Sequence, residues 1–354
     1  MNRMIPRICL CVLLAAGTAA PSMAAESGDQ EHLGRISKPD KVNAAVDKGL
    51  AYLVSMQDPV KGFFKGDKPN TLTGLSCMAL MAAGHFPGRA KYGENLRAGI
   101  LYLVLATEKD KGFLGNESNA RMYGHGICTV ALCESYGMMQ NEPENMEVKK
   151  GIERALKVIL NAQCRETNSP KFGGWRYEAR PGDADLSVTA WQVLALRSAQ
   201  NCKLDVPEGS IQDSLGYLRR TFHGVQKAFA YQPGGNVSPA MRSAGVVCMQ
   251  ALGANKTDAD KSMVEDSASF LFKFDPGSGS HFYYQSYYAA TAANMMGDKH
   301  LEALLPKMEN ALMALQMPNG EFRKHTDEQG EVYSTAFAVI CLCVGYQYLP
   351  IYQE

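Results

Sequence analysis

The sequence predicts an all-α fold, an (α/α)6 toroid built from six helical hairpins. Three observations carry this. An apolar helical run, a loop bearing Gly and an aromatic residue, and a second apolar helical run recur six times over residues 42–354. The first run of each unit carries Lys, Glu and Arg, whereas the second is rich in Ala, Ser, Cys and Gly. The first set suits a solvated outer ring and the second a close-packed inner ring. Four of the second runs stop at Gly84, Gly137, Gly253 and Gly297, where a left-handed C-terminal cap favours glycine. Sustained period-two alternation, the mark of strands, is missing.

The first unit, Ala44 to Gly84, spaces Val46, Leu50, Leu53 and Met56 near a helical period. Its outer helix ends at Gln57, Gly62-Phe63-Phe64 makes the loop, and Thr73-Gly74-Leu75 opens the inner helix. The second, Leu96 to Gly137, turns through Gly112-Phe113 and opens its inner helix at Tyr123-Gly124-His125-Gly126. The third, Val148 to Ala199, is the clearest: Ile159 to Gln163, then Phe172-Gly173-Gly174-Trp175, then Ser187 to Leu196. The fourth, Ile211 to Gly253, has Phe229-Ala230-Tyr231 in the loop and Arg242-Ser243-Ala244 at the inner start. The fifth, Val264 to Gly297, is led in by His281-Phe282-Tyr283-Tyr284. The sixth, Leu304 to Tyr346, holds Gln316, Gly320-Glu321-Phe322 and Tyr333-Ser334-Thr335-Ala336. Tyr346, Tyr348, Pro350 and Tyr352 are expected to seal the ring. One closed ring makes one domain, despite a length that on average suggests two.

Residues 1–25 read as a signal peptide. Arg3 and Arg7 precede an apolar run from Ile8 to Ala20 that is too short to span a bilayer, and Ser22-Met23-Ala24 is a small-x-Ala cleavage pattern. Cleavage near Ala24 or Ala25 and export to the periplasm or medium are expected. Leu10 before Cys11 is too bulky for a lipoprotein anchor. Residues 26–41 read as a flexible leader. The 46% apolar content is globular, and the formal net charge of zero gives no footprint for nucleic acid or an anionic membrane. No later stretch is apolar enough for an integral membrane segment. Asn116, Asn236 and Asn255 fit the N-glycosylation pattern, which matters only in a glycosylating host.

Eight of the ten cysteines lie beyond the signal peptide. Cys77, Cys128, Cys133, Cys248, Cys341 and Cys343 sit among Ala, Leu, Val and Met in inner helices, where cysteine acts as a small hydrophobe. Cys164 and Cys202 bracket the third hairpin, and a disulfide requires Cα atoms within about 7 Å. Helices of that length put the two roughly 20 Å apart. Buried free thiols are expected, with a cross-repeat bridge left open.

Gln at the end of an outer helix followed by Gly-x-Trp/Phe resembles the "QW" repeat of squalene and terpene cyclases and its relative in protein prenyltransferase β-subunits. The residues are Gln163 with Gly173-Gly174-Trp175, Gln316 with Gly320-Glu321-Phe322, and more loosely Gln57 with Gly62-Phe63. The resemblance spans residues 42–354 and implies a toroid in which the Gln amide ties neighbouring helices. It also implies that chemistry sits at the starts of the inner helices, facing the ring's mouth. Class II cyclases protonate an alkene with an Asp-x-Asp-Asp-Thr-Ala motif, whose acid needs neighbouring carboxylates to hold its proton. Aligned on Thr189-Ala190, Asp185 matches the first Asp, but the next two acids become Ser187 and Val188. Zinc prenyltransferases use Asp-x-Cys and a late His. Here Asp185-Leu186-Ser187 lacks the thiolate and Ser334 stands at the His position, so one of three ligands remains. The Gly-Cys-Gly-Glu-Gln string of complement-like thioester domains is absent. No metal and no cofactor are expected.

Asp183 and Asp185, before the third inner helix, either cap it or act as a displaced acid pair. His125 is either a buried structural residue or the available general acid/base. Arg176 and Tyr177 lie in the same loop as the acids. Arg242 opens the fourth inner helix and either binds an anion or pairs with Asp183 or Asp185. Trp191, Tyr284, Tyr287 and Tyr333 offer aromatic walls, which stabilise cations, bind sugars and flat ligands, or simply pack. The leading expectation is an exported binding or scaffold protein holding a small-molecule or peptide-like ligand in a central cavity. The alternatives are a cyclase/mutase-type enzyme using Asp183 and Asp185, and a carbohydrate-active toroid enzyme.

Overall fold

A computed structural model describes residues 40–115, 121–254, 257–277, 281–324 and 330–346. The signal peptide, nearly all of the leader, Asn116, Asn255, Tyr348, Pro350 and Tyr352 lie outside the described residues.

The described residues form twelve α-helices in alternating order. The outer helices are α1 (Asp40–Ser55), α3 (Gly93–Glu108), α5 (Glu142–Ala162), α7 (Glu208–Thr221), α9 (Asp258–Ala268) and α11 (Asp298–Met313). The inner helices are α2 (Pro69–Ala82), α4 (Arg121–Ser135), α6 (Leu186–Asn201), α8 (Pro239–Ala251), α10 (Phe282–Met295) and α12 (Glu331–Cys343). Each inner helix packs on the next, and α12 returns to α2, which closes the ring. Most outer helices wedge between two successive inner ones, so α1 packs on α12 as well as α2. A two-residue hairpin, β1 (Phe222–His223) against β2 (Ala228–Phe229), is an addition the sequence did not signal. Among the described residues no helix is long and apolar enough to cross a membrane.

The inner helices are buried nearly all round. Every residue of α6 is buried except Arg197, Gln200 and Asn201. Such a ring tolerates only small residues where helices cross. A Cβ on Gly126 would lie 2.7 Å from Trp191 Cβ in the next inner helix. The inner helices start earlier than their Ser/Thr signatures suggest. Pro69 opens α2 and Pro239 opens α8, where a fixed φ and a missing N–H cost a helix nothing. The leader likewise ends earlier than expected, since Asp40 already begins α1. Gly84, Gly137, Gly253 and Gly297 all take positive φ after their inner helices, and Lys203 takes the same conformation after α6.

The glutamine repeat has a plain physical role. Gln163 Nε2 donates to Gly173 O of its own loop at 2.9 Å and to Ser210 O of the next outer helix at 3.0 Å. Gln57 does the same with Gly62 O and Asn95 O, both at 2.8 Å. Gln316 reaches Ala45 O at 2.7 Å and so ties the last hairpin to the first. The following glycine sits at positive φ against the same neighbour. At Gly173 a Cβ would lie 2.0 Å from Asp213 O, and Gly62, Gly112 and Gly320 meet Ala98, Arg154 and Lys48 carbonyls likewise. None of the eight described cysteines is in a disulfide, and all but the half-buried Cys202 are buried.

Candidate functional site

Four of the six loops are clipped to the first turns of their inner helices by one side chain. Phe64 N–H donates to Thr73 Oγ1 at 2.9 Å, Trp175 N–H to Thr189 Oγ1 at 3.0 Å, and Phe322 N–H to Thr335 Oγ1 at 2.9 Å. In the second repeat Leu114 N–H donates to His125 Nδ1 at 3.1 Å. With Nδ1 accepting, Nε2 carries the proton and donates to Ala155 O at 3.1 Å. His125 is fully buried, and burial pushes its pKa down to about 4 despite the Ala155 contact. Both nitrogens meet backbone groups, the arrangement that the structural alternative for His125 describes.

The third loop folds back toward α4 and α6. Met122 N–H donates to Tyr177 O at 3.0 Å, and Arg121 pairs with Glu178 at 3.0 Å. Asp185 is the N-cap of α6. Its Oδ1 accepts from Val188 N–H at 2.9 Å and from the Ser187 hydroxyl, and its Oδ2 lies 3.3 Å from Arg176 Nε. It is 0% exposed, and burial lifts its carboxyl above the usual range, outweighing the Ser187, Val188 and Arg176 contacts. Asp183, with a side chain 52% exposed, meets Lys171 Nζ at 3.1 Å and Arg176 Nε at 3.7 Å. Its desolvation is outweighed by the Ala184 N–H and Lys171, so its carboxyl sits low. The Arg176 guanidinium lies 4.8 Å from the Tyr177 ring centre and 5.6 Å from that of Tyr231.

Aromatic residues occupy two tiers. At the mouth, Tyr123, Tyr284 and Tyr333 are the third residues of α4, α10 and α12, and all are half-buried. Tyr123 stacks on Tyr177 at 6.0 Å and meets Tyr284 edge-on at 6.2 Å, although α4 and α10 stand opposite each other in the ring. About one turn deeper, roughly 5 Å down, Trp191, Tyr287, Tyr288 and Phe337 are fully buried or within 1% of it. Trp191 stacks on Tyr287 at 5.2 Å and reaches Phe337 of the opposite helix α12 at 6.4 Å. Rings from opposing helices thus meet across the centre and fill it. Trp191 and Tyr287, two of the candidate ligand-wall residues, lie fully buried below the half-buried rim tyrosines.

Arg242 lies apart from the Arg176–Asp185 cluster, donating to Gln226 O at 3.4 Å with its guanidinium 5.7 Å from the Phe270 ring. Arg176, Tyr177, Asp183, Asp185 and Tyr284 do come together, with Tyr333 near Tyr284. Tyr284 OH donates to Ser187 O at 3.3 Å. Tyr123 and Tyr231 complete the cluster, and a repeat-to-repeat signal for Tyr231 exists. Phe229-Ala230-Tyr231 stands where Trp175-Arg176-Tyr177 stands one repeat earlier, and the Tyr177 and Tyr231 hydroxyls are 2.8 Å apart. A separate groove of 560 Å³ lies between the first loop and α3, lined by Val60, Lys61, Tyr102, Leu105 and Phe113 among others. Among the described residues no cluster of His, Cys, Asp and Glu could hold a metal ion.

The closed double ring of helices recurs in solved structures of unlike sequence. An α-1,6-mannanase of Salegentibacter sp., inactivated at two aspartates and bound to α-1,6-mannotriose, is 8% identical, with a TM-score of 0.63 over 87% of this chain and 99% of its own. A type II terpene cyclase from Scytonema, in complex with merosterolic acid A, is 14% identical, with a TM-score of 0.56 over 88% of this chain and 98% of its own. Cellobiose 2-epimerase from Bacillus thermoamylovorans is 12% identical, with a TM-score of 0.62 over 86% of this chain and 98% of its own. These likenesses establish the (α/α)6 toroid. No protein-family model matches the sequence, and comparison with curated proteins finds no match.

Proposed function

We propose that the chain is an exported, non-catalytic toroid of the terpene-cyclase/prenyltransferase repeat type that binds a small-molecule or peptide-like ligand in the aromatic dish at its mouth. The observation that carries this is the fate of the one acid in the cyclase register. Asp185 is buried as a helix cap and ion-paired to Arg176, and about one turn along the inner helices Trp191, Tyr287 and Phe337 are buried against one another. A proton donor must reach its alkene, and a polyene needs a deep apolar hollow in which to fold. The half-buried rings of Tyr123, Tyr177, Tyr284 and Tyr333 offer a shallow surface instead.

Incubation with squalene and with farnesol tests the reading. No cyclised product is expected. Product that forms with the native chain and disappears with Asp185→Asn would overturn it, and asparagine preserves the cap, so loss of folding does not confound the result. For export, the N-terminus of secreted material is expected at residue 25 or 26.

A further inference from the structure

We propose that the ligand of the dish is an uncharged saccharide, a proposal that rests on the binding reading above and names its chemistry. Three observations narrow the class. First, six charged groups among the described residues at the mouth are paired with one another. Arg176 pairs with Asp185 and Asp183, Lys171 with Asp183, and Arg121 with Glu178. A charged ligand would have to break one of these pairs and desolvate the partner left behind. Second, the floor closes one turn below the rim, so a long apolar chain finds no depth in which to hide from water. Third, the upper rings do not form a slot. Tyr123 lies at 29° to Tyr177 but at 74° to Tyr284, with centroids only 6.0 and 6.2 Å apart. A flat aromatic ligand cannot slide between rings already in contact.

What remains is a set of angled aromatic faces fringed by polar groups. Tyr177 and Tyr231 hold each other through their hydroxyls, and Tyr284 is tied to the Ser187 carbonyl, so the rings keep their orientation without a ligand. Asp183 and Glu178 keep exposed carboxylate surface beside them. A pyranose matches this pattern: its C–H face lies on a tyrosine ring while its hydroxyls reach the polar fringe. Rigid rings also leave little entropy to lose on binding.

The test is calorimetric titration of the signal-peptide-free chain with α-1,6-mannotriose, cellobiose, maltotriose, xylotriose and chitotriose, alongside trigalacturonate and farnesol. At least one neutral sugar is expected to bind, and trigalacturonate at least about tenfold more weakly. Tyr123→Ala and Tyr284→Ala are expected to weaken that binding about tenfold or more, whereas Tyr284→Phe, which keeps the ring, stays within about threefold. Helix content by circular dichroism checks that the variants fold. Binding of no neutral sugar overturns the saccharide assignment. Farnesol or trigalacturonate binding that vanishes in Tyr284→Ala overturns it too, while leaving the dish as a ligand site. Sugar binding untouched by all three tyrosine variants overturns the proposed site.

Discussion

His125 stands where three other repeats place threonine, and its Nδ1 accepts the loop N–H that Thr73, Thr189 and Thr335 accept through oxygen. The substitution carries a pH consequence. The imidazole falls from an ordinary value of 6.5 to about 4 in the folded chain because it is buried. Between those values the unfolded chain binds a proton that the folded chain refuses. Stability is therefore complete above about pH 6.5 and is lost as pH falls toward 4, by roughly 3 kcal/mol in all. Asp185 works in the opposite sense: its raised carboxyl costs stability as pH climbs above the ordinary aspartate value. Urea unfolding at pH 7 and pH 4.5 isolates the histidine. His125→Thr keeps an acceptor for Leu114 but cannot titrate, so it should lose about 2 kcal/mol less than the native chain over this interval. Equal acid losses in both would mean that His125 does not carry the effect.

At the scale of elements, the recurrent glycines divide by what faces them. Gly173 combines φ of +87° with a carbonyl where its Cβ would be, whereas Gly137 has φ of +82° and nothing within 4 Å. Gly137→Ala should cost only the backbone strain, about 1–2 kcal/mol. Gly173→Ala must also push α7 away from the loop, and a loss beyond about 3 kcal/mol or a failure to fold is expected. Denaturant midpoints of the two proteins decide the matter, and equal midpoints would refute the close-approach argument. These glycines, with Gln57, Gln163 and Gln316, were legible in the sequence because their work is local and repeats. The second repeat hid its version. Thr107 stands five residues before Gly112, as Gln57 stands before Gly62, but its hydroxyl donates back to Val104 O of its own helix at 2.6 Å and accepts from Arg154 Nε at 3.1 Å, where the glutamines donate to the loop and to the next outer helix. A different chemistry at an equivalent place leaves no pattern to read.

On the scale of the whole molecule, closure makes the hairpins one unit. The contact of α12 with α2 and the bond from Gln316 to Ala45 mean that no terminal hairpin can peel away without opening two faces. Unfolding should therefore be a single step. The thiols report it: burial pushes Cys77 and Cys248 far up, and they lie in different inner helices, α2 and α8. A thiol reagent should reach Cys202 first, in the native state, and the buried cysteines together only as helical ellipticity is lost. Stepwise release of buried thiols at rising denaturant would show an open, divisible array instead.

The sequence by itself determined the number of hairpins and the division into inner and outer helices. Both rest on periodicity within a few turns of chain. It also brought Arg176, Tyr177, Asp183 and Asp185 together, since one loop carries them all. Only the tertiary structure decided that Tyr123 meets Tyr284, that Trp191 meets Phe337, and that Arg242 lies apart from the acids. Those outcomes depend on the width of a closed ring. Whether opposing side chains leave a hollow or fill it is set by the distance between helices that are remote in sequence, and no local pattern encodes that distance.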